Sequence, residues 1–129
     1  MIIVDTSIWI DFFKKKLDEF DILINLIETG QVIILDVIAA ELLQGAKSKR
    51  EVKIIKAYWD NLVKYSEHDL IVQAGEFSYE NKFIDKGIGL IDSIIITATK
   101  NSNSKLWTRD KKILNNVTKD LIFCGIKDI

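Results

Sequence analysis

Four acidic residues stand where carboxylates could do chemistry in this chain. Asp5 ends the first apolar run, Ile2-Ile3-Val4, and Asp110 follows another, Leu106-Trp107-Thr108. Each has an ordinary structural explanation when taken alone. Asp5, Thr6 and Ser7 can cap the helix that follows, and Asp110 can open a turn or cap a short helix. Glu41 is harder to place in that way. Its surroundings, Val37-Ile38-Ala39-Ala40-Glu41-Leu42-Leu43, are apolar nearly all round a helix, on which Glu41 shares a face with Val37, Ile38, Gln44 and Gly45. Such a helix is expected to be buried, and a carboxylate on it then needs a partner: a basic residue, another protein or a metal ion. Asp92 opens a helix after Gly87-Ile88-Gly89-Leu90 and reads equally as an N-cap, yet Ile95, Ile96 and Thr99 share its face and aim it inward.

Brought together, the four would repel one another and raise their own pKa values unless cations neutralised them. One or two Mg²⁺ ions would do so, and could activate a water, polarise a scissile phosphate and stabilise the leaving oxygen. The rest of the composition narrows the metal. With one His, His68, and one Cys, Cys124, a structural zinc site is out of reach, so any ion is held mainly by oxygen, which suits Mg²⁺ or Mn²⁺. The lone Cys124 can form no intramolecular disulfide and is expected to fill an apolar run, Leu121 to Cys124. A formal net charge of −1 offers no global field for a polyanion, so nucleic-acid binding would depend on local basic patches and on metal.

The elements that must position these acids can be read from apolar patterning. Ile2-Ile3-Val4, Val32 to Leu35 and Lys105 to Thr108 are short buried strands, Val63 to Ser66 is a weaker one, and Leu121 to Cys124 is the last. Helices are expected from Ser7 to about Lys15, around Phe20, Leu23, Ile24 and Ile27 with Gly30 as the stop, and from about Asp36 to Ala46. Further helical stripes run through Val52, Ile55, Trp59 and Leu62, through Leu70, Ala74, Phe77 and Ile84 to near Gly87, and from Ile91 to Lys100, where Ile94-Ile95-Ile96 would also pass as a strand. Strands alternating with helices imply an α/β layer fold with a mostly parallel sheet and helices on both sides. In such sheets ligands bind beyond the carboxyl ends of the strands, where Asp5 and Asp110 fall.

A chain of 129 residues fits a single domain over 1–129, since two cores would leave each half too small. Hydrophobic residues at 48% and charged residues at 29% describe a globular balance rather than a disordered one. No apolar run approaches the ~20 residues that span a bilayer, and the start lacks the pattern of a secretory signal. The expected location is cytoplasmic, with no membrane contact.

At this point the motifs resemble a known family. Ile3-Val4-Asp5-Thr6-Ser7-Ile8-Trp9-Ile10-Asp11-Phe12, Ala40-Glu41-Leu42-Leu43-Gln44-Gly45, Gly89-Leu90-Ile91-Asp92-Ser93-Ile94-Ile95-Ile96-Thr97-Ala98-Thr99 and Leu106-Trp107-Thr108-Arg109-Asp110 are similar, in order and spacing, to the four motifs of PIN-domain proteins of the VapC kind. The resemblance implies a three-layer α/β/α sandwich and an endoribonuclease using Mg²⁺ or Mn²⁺, with Asp5, Glu41, Asp92 and Asp110 as catalytic residues and metal ligands. It implies supporting roles in the pocket for Thr6, Ser7 and Thr108. It also implies the toxin of a VapBC-type toxin–antitoxin pair, with a VapB-like antitoxin that covers the site, often with an arginine reaching the acids, and a homodimer. Two departures are mild: no proline precedes Glu41, and Ile113 stands where an aromatic is common.

Of the basic clusters, Lys14 to Lys16 read as a solvated face, while Arg109, Lys111 and Lys112 adjoin Asp110 and are the candidates for RNA phosphate contacts. Trp9, Phe12, Phe13 and Phe20 are expected in the core, with part of the cluster available as a groove for the antitoxin. His68 is expected on the surface. A haloacid-dehalogenase-like phosphatase, which also starts with a strand ending in Asp, needs a second Asp where this chain has Ser7. A flap nuclease of related fold would need a longer chain. A non-catalytic metal- or nucleic-acid-binding module with the same fold remains the alternative.

Overall fold

The computed structural model describes residues 1–125. Four parallel strands form the sheet: β1 (Ile2–Val4), β2 (Val32–Ile34), β3 (Val63–Lys64) and β4 (Lys105–Trp107), in the order β3-β2-β1-β4. The chain adds strands outward from β1 on one side and then returns to place β4 on the other. That reversal leaves a crevice beyond the carboxyl ends of β1 and β4. Their register pairs Ile3 with Leu106 and Val4 with Trp107, and the next backbone bond, from Asp5 N to Trp107 O, is 2.9 Å.

β1 and β2 are buried at every position, as strands covered on both faces must be. The covering helices are α1 (Thr6–Phe13), α2 (Phe20–Glu28), α3 (Asp36–Gln44), α4 (Lys49–Asn61), α5 (Leu70–Glu80), α6 (Leu90–Asn101) and α7 (Lys111–Asn116). The result is the α/β architecture with an all-parallel central sheet that the alternation of elements predicts. α6 is the most deeply set helix, buried continuously from Ser93 to Thr99. Its buried hydroxyls are satisfied inside the helix: Ser93, Thr97 and Thr99 donate to the carbonyls of Gly89, Ser93 and Ile95 at 2.7–2.9 Å. At its far end Asn101 donates to both carboxylate oxygens of Glu67 at 3.0 Å, and Tyr65 donates to the same carboxylate at 2.9 Å. This network pins α6 to the loop ahead of α5.

Three expectations change on folding. The helix through Leu70 ends at Glu80, where the Asn81 side chain donates to Phe77 O at 2.9 Å and Lys82 takes a left-handed φ of 54°. A separate 3₁₀ turn, Ile84–Lys86, then leads to Gly87. The strand expected over Leu121 to Cys124 contracts to one bridge from Ile122 to Leu106, because the preceding backbone is wound into a 3₁₀ turn, Lys119–Leu121. Cys124 lies beyond that bridge and is exposed rather than filling the core.

Ile3 sits in the centre of the sheet with no exposed surface. Ile3→Ala is expected to lower unfolding stability by about 2–5 kcal/mol, measured by chemical denaturation. A loss below about 1 kcal/mol would contradict a tightly packed site.

Candidate active site

The β1–β4 register brings Asp5 beside Thr108. Thr108 Oγ1 donates to Asp5 Oδ2 at 2.7 Å in a buried bond between residues 103 apart in sequence. The other oxygen, Oδ1, accepts from Thr6 N at 2.8 Å, so Asp5 also caps α1 as its local sequence suggests. Asp5 is only 7% exposed, and these bonds compensate the burial of its charge. Thr108 Oγ1 in turn accepts from Asp110 N at 3.1 Å. One hydroxyl therefore sets both the carboxylate after β1 and the chain turn that presents the acid after β4. Asp110 is half-buried and caps α7 by accepting from Lys112 N at 2.9 Å.

Glu41 joins from the next layer. It is exposed, contrary to the expectation from its apolar neighbours: α3 buries Ile38, Ala39 and Leu42 and turns Ala40, Glu41, Gln44 and Gly45 outward. No burial penalty therefore demands a partner for it. What ties Glu41 to the crevice is a bond from Thr6 Oγ1 to its Oε1 at 2.7 Å. Thr6 and Thr108 thus link three of the acids through hydroxyls, while Ser7 lies exposed in the first turn of α1.

Asp92 lies in the first turn of α6, half-buried, with Gly89 rather than itself at the N-cap. Burial, and then the charges of Asp5, Asp110 and Glu41 in that order, push its pKa up to about 6, and Lys112 offsets them. Asp92 therefore feels the charges of all three other acids. Asp36, the acid following β2, is not among the charges acting on Asp92; it is exposed and accepts from Val37 N at 2.8 Å.

The basic residues beside Asp110 are placed differently from one another. Arg109 turns away: its Nη1 pairs with Asp11 Oδ2 at 3.1 Å and its Nη2 with Glu19 Oε2 at 2.8 Å. Lys111 is exposed. Lys112 lies against Gly87 (φ 76°), where an added Cβ would come within 3.3 Å of its Cδ. Sequence reasoning missed Asp11, Glu19 and Gly87 as neighbours of this segment. Only the fold brings them there.

A divalent cation fits this donor set in chemistry. The ligands are hard oxygens, and the like charges that act on Asp92 favour a neighbouring cation. The set is not a closed cage. Among the described residues no three Asp, Glu, His or Cys side chains are arranged to hold a metal ion as they stand.

Beside the crevice runs an apolar groove of about 510 Å³. Phe12, Phe13, Phe20, Leu42, Ile55 and Tyr58 are among its lining residues, and Glu41 is part of its wall. Trp9 and Phe12 are buried as expected, whereas Phe13 and Phe20 are only partly covered.

The PIN domain family model matches residues 2–119. No curated protein matches the chain. Among solved structures it is similar to VapBC2 from Rickettsia felis, bound to a DNA fragment from its promoter, at 26% identity and a TM-score of 0.67, covering 95% of this chain and 96% of that one. A toxin–antitoxin complex from Klebsiella pneumoniae shares the fold at 19% identity and a TM-score of 0.69, over 95% of this chain and 100% of that one. FitAcB from Neisseria gonorrhoeae does so at 16% identity and a TM-score of 0.56, over 87% and 89%.

A raised folded-state pKa at Asp92 means that the native state holds the proton more tightly than the unfolded chain. The corresponding stability is full in acid and is lost as pH rises through about 6. Asp92→Asn is therefore expected to stabilise the protein at pH 8 in chelator by about 1 kcal/mol, after discounting for half exposure. The gain should shrink towards pH 4. Equal effects at both pH values, measured by denaturant unfolding, would refute the repulsion.

Proposed function

The chain belongs to the PIN-domain family, and on that premise we propose that it is a metal-dependent endoribonuclease acting as the toxin of a toxin–antitoxin pair. The observation that supports the reading is the set of hydroxyl bonds through Thr6 and Thr108 that tie Asp5, Glu41 and Asp110 to one another, with the charges of all three acting on Asp92. Asp5, Glu41, Asp92 and Asp110 would hold Mg²⁺ or Mn²⁺, which when bound supplies Lewis acidity towards a phosphate and a water of lowered pKa. The chain's own residues supply the frame. Thr108 and the α1 N-terminus hold Asp5 oriented, Thr6 steadies Glu41, and Asp110 is fixed by its cap bond. Ser7, exposed on the same turn as Thr6, would serve as a further hydroxyl of the pocket. Lys111, Lys112 and Arg109 are the candidate phosphate contacts, Arg109 only by exchanging Asp11 and Glu19 for phosphate.

The antitoxin reading has its own support. The related Rickettsia felis structure is of VapBC2, and Glu41 lines the groove together with Phe12, Phe13, Phe20 and Tyr58. An amphipathic segment laid in that groove would bury its apolar side chains there and could bring an arginine to the acids. A homodimer is also part of the proposal. Val72, Tyr79 and Ile84, 70%, 83% and 83% exposed on α5 and the turn after it, are the apolar side chains that a second copy would cover. The lack of a ready-made ion cage favours one competing reading, a binding module with the same fold that cleaves nothing.

Incubation with single-stranded RNA separates the two. Cleavage is expected in Mg²⁺ or Mn²⁺, loss of it in chelator, and a drop of at least ~10²-fold for Asp5→Asn with the fold retained; RNA bound but never cut would favour the binding module. For the dimer, light scattering is expected to give twice the chain mass for the wild type and a single-chain mass for Tyr79→Glu. A monomeric wild type would remove that part of the proposal.

A further inference from the structure

Of the cations near the crevice, Lys112 is placed unlike the others. Arg109 has both Nη atoms engaged by carboxylates, Lys86 lies over the ring of Phe83, and Lys111 is exposed and is not among the charges acting on Asp92. Lys112 starts in the first turn of α7, its backbone N–H held by Asp110, and its side chain extends along Gly87 in the segment that leads into α6. A Cβ on Gly87 would come within 3.3 Å of Lys112 Cδ, 3.4 Å of Cε and 3.5 Å of Nζ, so the stem is laid down on the backbone along its length. Gly87 has φ 76°, a left-handed conformation that glycine adopts without strain, and it leaves room for the lysine as well. The ammonium thus lies between the segments that carry Asp110 and Asp92. Its charge acts on Asp92, yet among the described residues it forms no ion pair. A cation lying between the segments that carry Asp110 and Asp92, and paired with neither, is positioned to receive an anion.

We propose that Lys112 is the substrate-facing cation of this site, contacting the non-bridging oxygens of an RNA phosphodiester brought up to the acids, a role that presupposes the nuclease reading above. A polyanionic strand approaching four carboxylates meets repulsion. A lysine, as a compact point charge with three donors, offsets it at the phosphate without competing for the carboxylates. No bond is made or broken at Lys112, and its proton stays in place. The contact is electrostatic, strongest as charge builds on the phosphoryl oxygens.

Lys112→Met keeps the stem that packs on Gly87 and removes the charge; Lys112→Arg restores charge with a different head. With a single-stranded RNA oligonucleotide, Lys112→Met is expected to cut about 10–100-fold more slowly in single-turnover conditions. Its plot of log affinity against log salt should be shallower by about 0.7, Lys112→Arg should recover most of the rate, and the unfolding midpoints of all three proteins should agree. Rates and salt slopes equal to wild type would overturn the role. If the wild type binds RNA without cutting it, the nuclease reading fails by itself. The salt slope then still decides whether Lys112 meets phosphate, an unchanged slope overturning the contact.

Discussion

Everything at the crevice depends on the parallel pairing of β1 with β4. Those two short strands are remote in sequence, and their register sets Val4 against Trp107. One residue further on, Asp5 and Thr108 are brought side by side and joined by a buried hydrogen bond. A slip of one residue would reverse which face each side chain points to, and the carboxylate after β1 would lose its hydroxyl donor. The apolar burial of Ile2, Ile3, Val4, Leu106 and Trp107 is therefore what fixes the polar chemistry. Core packing and site geometry are the same constraint seen from two ends of the strands.

The fold then sustains an electrostatic conflict. Burial and three neighbouring carboxylates act together on Asp92, and only part of that cost is relieved within the chain. The relief is uneven. Asp5 receives two hydrogen bonds, and Asp110 and Glu41 one each. Glu41, carried on the outward face of α3, is held by a side-chain hydroxyl rather than the backbone and is the one of the four acids that lines the apolar groove. Crevice and groove thus share a residue.

Much of this was legible in the sequence, for identifiable reasons. Short β-branched runs bounded by polar residues gave the strands, and the four acids fell at strand ends or on helices that the alternation of elements sends to one rim. The ambiguous Ile94-Ile95-Ile96 run resolves as helix, its polar neighbours Ser93, Thr97 and Thr99 bonding back along α6. What stayed hidden depends on tertiary placement. The apolar look of α3 came partly from alanines, which do not reveal which side is covered, so the exposure of Glu41 could not be read. The end of α5 is set by Asn81 and a left-handed Lys82, with no glycine or proline to announce it. The partners of Arg109 lie about 90 and 98 residues away, beyond any local pattern.

The margins of the sheet carry a consequence of another kind. Exposed strand edges are templates on which further chains can add and grow into insoluble assemblies. Here β3 offers two residues only, with Lys64 placed over the Trp59 ring beside it, and the outer side of β4 is already taken by backbone pairing with Ile122 and Phe123. A chain nearly half hydrophobic thus presents little unpaired ladder at either margin. Such blunting guards it against aggregation when it accumulates.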